Sequence, residues 1–143
     1  MFVSPSAVQR FFDCRPPGQA WPADVVAAAP GLGTRQALLQ AGVPAAALCS
    51  PPDDGGPFDS EALWAVLQPR CHWPGASALV VRGESGRNWL ADVLRQQGAQ
   101  VHFVEAYRRT VPVPNAAARR VLAAALAEPQ AHCWLFSSSE AVG

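Results

Sequence analysis

Hydroxyl and glycine residues recur where short apolar runs give way to helical patterns. Residues 3–7 read Val-Ser-Pro-Ser-Ala, residues 29–34 Ala-Pro-Gly-Leu-Gly-Thr, and residues 81–87 Val-Arg-Gly-Glu-Ser-Gly-Arg. The chemistry open to such turns is anion recognition. A helix start leaves backbone N–H groups without partners, Ser and Thr are among its preferred caps, and the end carries partial positive charge. Ser4, Ser6, Thr34, Gly83 and Gly86 are the candidate contacts, with Arg82 and Arg87 beside them. Each has a plainer alternative. The hydroxyls can simply cap helices, the glycines can supply a tight turn, and the arginines can be solvated or paired with Glu84.

The first of these turns has a counterpart near the other end of the chain. Residues 2–8 (FVSPSAV) and 136–142 (FSSSEAV) share Phe, Ser, Ala and Val at matching positions, which adds Ser137 and Ser138 to the candidates. Both phrases read as a strand, a hydroxyl turn and a helix start. The stretch Gly-Glu-Ser-Gly-Arg at 83–87 lacks the Lys and length of a P-loop and the G-x-G-x-x-G spacing, so it does not point to nucleotide binding.

Composition narrows the function classes. At 143 residues the chain suffices for a domain that buries its own core. Half of it is hydrophobic and 15% is charged, yet no apolar run is long enough to cross a membrane. A formal net charge of zero argues against broad binding to nucleic acid. Arg10 and Asp13 interrupt the early apolar stretch, so it does not read as a signal peptide. The 4 cysteines (Cys14, Cys49, Cys71, Cys133) form no C-x-x-C. In Cys71-His72 and His132-Cys133, neighbours on a strand would point to opposite faces and struggle to share an ion. Reduced, mostly buried thiols, no metal site and a cytoplasmic location are expected. His72, His102 and His132 show no partner pattern.

The elements that must position these turns alternate. Strands are expected at Met1–Val3, Val25–Ala28, Ala47–Cys49, Ala78–Val81 and Gln100–Val104. Helices are expected at Ser6–Phe12, Thr34–Ala41, a segment capped by Asp59 or Ser60, and Asn88–Gln97 stopped by Gly98. Such alternation predicts parallel strands with helical crossovers, a flavodoxin-like doubly wound sheet. Its ligands gather beyond the carboxyl ends of the strands, where the three turns would lie. After Val104 an extended, Pro-rich stretch (EAYRRTVPVP) reads as a connector. A helix at Asn115–Ala127 and a strand at Cys133–Phe136 then open a second unit of the same kind. The chain reads as an internal piece of a two-domain protein.

Three segments, FVSPSAVQRFF at 2–12, LVVRGESGRNWLADVLRQQGAQVHFVEAYRRT at 79–110 and WLFSSSEAVG at 134–143, together resemble the bacterial uroporphyrinogen-III synthase family. GLGTRQALLQAGV at 31–43 fits that family's Gly-x-x-Thr helix start. The resemblance implies two flavodoxin-like domains, with residues 1–104 as the second, 105–114 as a connector strand and 115–143 as the partial re-entry into the first. The opening β-α-β of the first domain and a second Gly-x-x-Thr start have no counterpart here, so the chain alone is expected to be incomplete and inactive.

The implied reaction is cyclisation of hydroxymethylbilane, a linear tetrapyrrole, with inversion of its last ring and loss of water. No metal or organic cofactor is implied, and the family member is expected to be a monomer. The substrate carries carboxylate-tipped side chains that suit the hydroxyl and glycine turns, and Arg82 and Arg87 can pair with them. Tyr107, the only tyrosine, falls where the family places one at the edge of the interdomain cleft. It can donate to the departing hydroxyl or face the resulting cation with its ring; as a plain packing residue it would join strand to connector. The rival reading is a non-catalytic anion-binding module of the same fold.

Overall fold

The computed structural model describes residues 1–16 and 18–135. The chain divides into two compact units, residues 1–109 and 110–143.

In the first unit, helices α1 (Pro5–Asp13), α2 (Leu32–Gln40), α3 (Ser60–Leu67) and α4 (Trp89–Gln96) alternate with strands β1 (Ala27–Ala28), β2 (Leu48–Cys49), β3 (Ser77–Gly83) and β4 (Gln100–Tyr107). β1 pairs with β2, and β3 with β4, both in parallel. Residues 1–3 join the two ladders. The Phe2 N–H donates to Ala28 O at 2.9 Å, the Val3 N–H to Val81 O at 3.1 Å, and the Val81 N–H to Met1 O at 2.8 Å. Phe2 and Val81 form a parallel bridge.

The extended segments therefore lie side by side in the order 48–49, 27–28, 1–3, 77–83, 100–107. Winding runs one way from residues 1–3 through β1 to β2, and the other way through β3 to β4. Helices alternating with parallel strands fit the expected α/β class. Numbered along the chain, the order is 3-2-1-4-5, whereas a flavodoxin-like sheet runs 2-1-3-4-5.

Strand alternation feeds two cores. Phe2, Ala27, Ala29, Leu48 and Val81 pack with Val8 of α1 and Leu38 of α2. Ala28 and Cys49 pack with Leu63 and Leu67 of α3 and Leu90 and Leu94 of α4. Leu38, Leu63 and Leu94 are fully buried. Truncating any one of them to Ala would cost about 2–5 kcal/mol.

Several expected bounds shift. β1 is shorter than Val25–Ala28, and residues 45–47 form a 3-10 turn ahead of β2. β3 and β4 are longer: β3 takes in Arg82 and Gly83, and β4 runs past Val104 to Tyr107. Leu79, expected in a buried strand, is 40% exposed. Asp59 caps α3 as expected, its carboxylate accepting from the Ala62 N–H at 2.8 Å. The cysteines are free but not mostly buried: Cys49 is buried, Cys71 half-buried, and Cys14 and Cys133 exposed.

In the second unit α5 (Ala116–Ala127) is capped by Asn115, whose side chain accepts from the Ala118 N–H at 2.9 Å. Residues 133–135 carry no strand, contrary to expectation, and Phe136, Ser137 and Ser138 lie outside the described residues. Among the described residues no helix is long and apolar enough to cross a membrane.

Candidate functional site

Because the strands are parallel, the residues that follow each of them emerge at one edge of the sheet. Ser4 follows the first extended segment, Gly31 follows β1, and Gly83 to Gly86 close β3. Ser4 caps α1 in extended backbone, its Oγ accepting from the Ala7 N–H at 3.1 Å. Pro5 then stands at the first helical position, where its fixed φ suits the helix and its missing N–H costs nothing. Ser6 follows, exposed. The start of α2 lies against that of α1: a Cβ on Gly33 would sit 3.6 Å from Pro5 Cγ.

Thr34 does not cap α2. Gly31 does, and it has no side chain to bond the N–H groups of that first turn. Thr34 is instead the third helical residue and is only 4% exposed. The helix starts two residues earlier than expected because Leu32 and Gly33 already belong to it. The anion-binding potential there resides in the backbone.

Tyr107 is placed by a β-bulge. Arg82 pairs with Glu105 but Gly83 with Tyr107, so Ala106 is the extra residue on β4. Strict alternation would send Ala106 and Tyr107 to opposite faces. The bulge instead brings Val104, Ala106 and Tyr107 onto the core shared with α1. There the half-buried Tyr107 Oη lies 3.1 Å from Ser4 Oγ. The ring covers Gly83, where an added Cβ would be 2.9 Å from Tyr107 Cε2. Gly83 is thus needed for space, and Gly86, at φ 153°, for backbone freedom.

The turn after β3 is tied back to the end of β4. The Glu84 N–H donates to Tyr107 O at 3.1 Å, and the Glu84 carboxylate pairs with Arg108 at 3.0 Å. Gly83, Glu84, Ser85, Tyr107 and Arg109 line a recess of about 60 Å³, and the Arg109 guanidinium lies 6.0 Å from the Tyr107 ring centre. This recess is too small to hold a tetrapyrrole.

The two candidate arginines do not join Tyr107. Arg82 lies on the other face of β3, stacked 4.4 Å over Phe103 and donating to Asn88 Oδ1 at 2.6 Å; its Nε is buried with no partner among the described residues. Arg87 pairs with Glu61 in the first turn of α3, one of its two bonds measuring 3.0 Å, and not with Glu84. The described site therefore unites Ser4, Gly83 and Tyr107. Glu84, Ser85, Arg108 and Arg109 are additions that the sequence signalled only by their nearness to the Gly-Glu-Ser-Gly-Arg turn and to Tyr107. Among the described residues no cluster of His, Cys, Asp and Glu could hold a metal ion.

The family model described as uroporphyrinogen-III synthase HemD matches residues 1–143, and the chain belongs to that family of tetrapyrrole-biosynthesis enzymes.

Proposed function

We propose that this chain supplies the Tyr107 side of a site that converts hydroxymethylbilane to uroporphyrinogen III. The observation that carries the reading, beside the family match, is a phenol held half-exposed at the carboxyl edge of the sheet, next to the start of α1. On this reading residues 1–104 act as the second domain of the synthase, 105–114 as the connector strand and 115–143 as the return to the first domain.

Tyr107 donates its proton to the terminal hydroxyl of the substrate. The C–O bond breaks, water departs, and an azafulvene cation remains. The substituted carbon of the last pyrrole attacks that cation to give a spiro intermediate. Fragmentation and reclosure on the other side invert the ring, and the proton shed at the newly joined carbon balances the one donated. Ring closure without the inversion gives the type I isomer, so the protein's main task is to hold the chain in one geometry.

The N–H groups at the start of α2 and the hydroxyl of Ser6 suit the carboxylates of the substrate. Gly83 and Gly86 let backbone approach it closely. Arg82 and Arg87 act, on this reading, through Phe103, Asn88 and Glu61, and meet carboxylates only at their exposed faces.

Tyr107→Ala in the active synthase tests the assignment. The expected outcome is loss of uroporphyrinogen III with type I product remaining. An unchanged yield of the III isomer would remove Tyr107 from the site.

A further inference from the structure

We infer that Ser4 is a positioning residue for Tyr107, and that its hydroxyl, beyond capping α1, supports the phenol oxygen as the proton leaves. The inference rests on the reading of Tyr107 as proton donor. Ser4 Oγ offers one proton and two lone pairs. One lone pair takes the Ala7 N–H at 3.1 Å, which fixes the oxygen at the start of the nine-residue helix α1. The same oxygen lies 3.1 Å from Tyr107 Oη, bridging residues 103 apart in the chain.

While Tyr107 keeps its proton, either hydroxyl can donate to the other. Once the proton moves toward the substrate, the Tyr107 oxygen can only accept, and the Ser4 O–H is the donor already in place. An accepted N–H bond makes a hydroxyl a stronger donor. The positive end of α1 further favours negative charge at this point. Charge developing on Tyr107 is thus met by a dipole that needs no reorganisation, the arrangement that stabilises oxyanions in other active sites. The β-bulge at Ala106 and the missing side chain of Gly83 bring the phenol to this donor.

Capping and donation separate by substitution. Thr keeps both, Ala removes both, and Asp keeps the cap but is acceptor-only when ionised. In the active synthase, Ser4→Asp and Ser4→Ala are expected to lower kcat by about tenfold to a hundredfold, with KM changed less than about twofold, while Ser4→Thr stays near wild type.

A second measurement needs no turnover. The chain has a single tyrosine, so the NMR signal of ring-labelled tyrosine reports Tyr107 alone. It is expected to move in Ser4→Ala and Ser4→Asp and to return in Ser4→Thr. Wild-type kcat in Ser4→Asp, or an unmoved tyrosine signal in a folded Ser4→Ala, would overturn the inference. Tyr107→Phe keeps the two failures apart. If it turns over normally, the acid role falls while the tyrosine signal still decides the Ser4 contact. If it is slow but Ser4→Asp is not, the acid role stands and the positioning role falls.

Discussion

Tyr107 and Gly83 face each other across the last rung of the β3–β4 ladder, so closely that a methyl group on Gly83 would lie 2.9 Å from Cε2 and 3.0 Å from Cζ of the ring. Gly83 is buried and its backbone does not require glycine; space alone excludes a side chain. Gly83→Ala should therefore push the phenol away from Ser4. We expect a stability cost of about 1–3 kcal/mol from overpacking and turnover reduced at least about tenfold, because small displacements at a reacting group are expensive. Urea unfolding and the initial rate of uroporphyrinogen III formation measure the two effects. A variant with wild-type rate would show that the ring's position does not matter.

Arg87 should contribute little to folding. Its pair with Glu61 is exposed, with side-chain accessibilities of 60% and 42%, and exposed pairs contribute about 0–1 kcal/mol. Arg87→Gln is expected to shift the unfolding free energy by less than about 1 kcal/mol, and by less still at high salt. If its exposed face meets a substrate carboxylate, KM will rise while kcat holds. An unchanged KM would leave it as a surface ion pair.

What was legible in the sequence, and what was not, follows from the range of the interactions. Helix starts near Ser4, Asp59 and Asn115 are legible to within a residue or two; of the two candidates for the α3 cap Asp59 takes the place, and Ser4 and Asn115 turn out to be the caps of their helices. The alternation of elements likewise revealed parallel pairing. Thr34 misled because a hydroxyl before an apolar helical run resembles a cap, yet Gly31 could take that place and leave Thr34 inside the helix. β4 looked finished at Val104 because Glu105 and Arg108 are charged, but exposed positions of an edge strand accept charge readily. The bulge at Ala106 has no local signature: it depends on the register with β3, and only that register puts Tyr107 beside Gly83 and Ser4.

The thiols should react in an order set by burial. Cys14 and Cys133 are exposed and Cys49 is buried. At half-buried Cys71, desolvation, aided by neighbouring Cys49 and opposed by Arg70, raises the thiol's pKa and so reduces its thiolate. A thiol reagent at neutral pH is expected to label Cys14 and Cys133 first, Cys71 more slowly and Cys49 only on unfolding. Mass spectrometry after timed labelling checks the order; early modification of Cys49 would contradict its burial.

The second unit should open locally at low cost. Of α5, only Ala125 is buried, while Val121 is 69% and Leu126 63% exposed. With so few buried contacts, its amides are expected to exchange with solvent faster than those of β3, where Val80 and Val81 are buried. Hydrogen exchange of the 143-residue chain measures this, and equal protection of α5 and β3 would refute it.

In the proposed reaction the hydroxyl of Tyr107, not merely its ring, takes part. Tyr107→Phe keeps the ring over Gly83 and removes only the bond to Ser4 and the transferable proton. The deciding measurement is the initial rate at which the Tyr107→Phe synthase forms uroporphyrinogen III from hydroxymethylbilane, with the type I isomer quantified alongside. A rate about a hundredfold or more below wild type is expected, with the thermal unfolding transition nearly unchanged. A wild-type rate together with a wild-type isomer ratio would contradict that role of the hydroxyl.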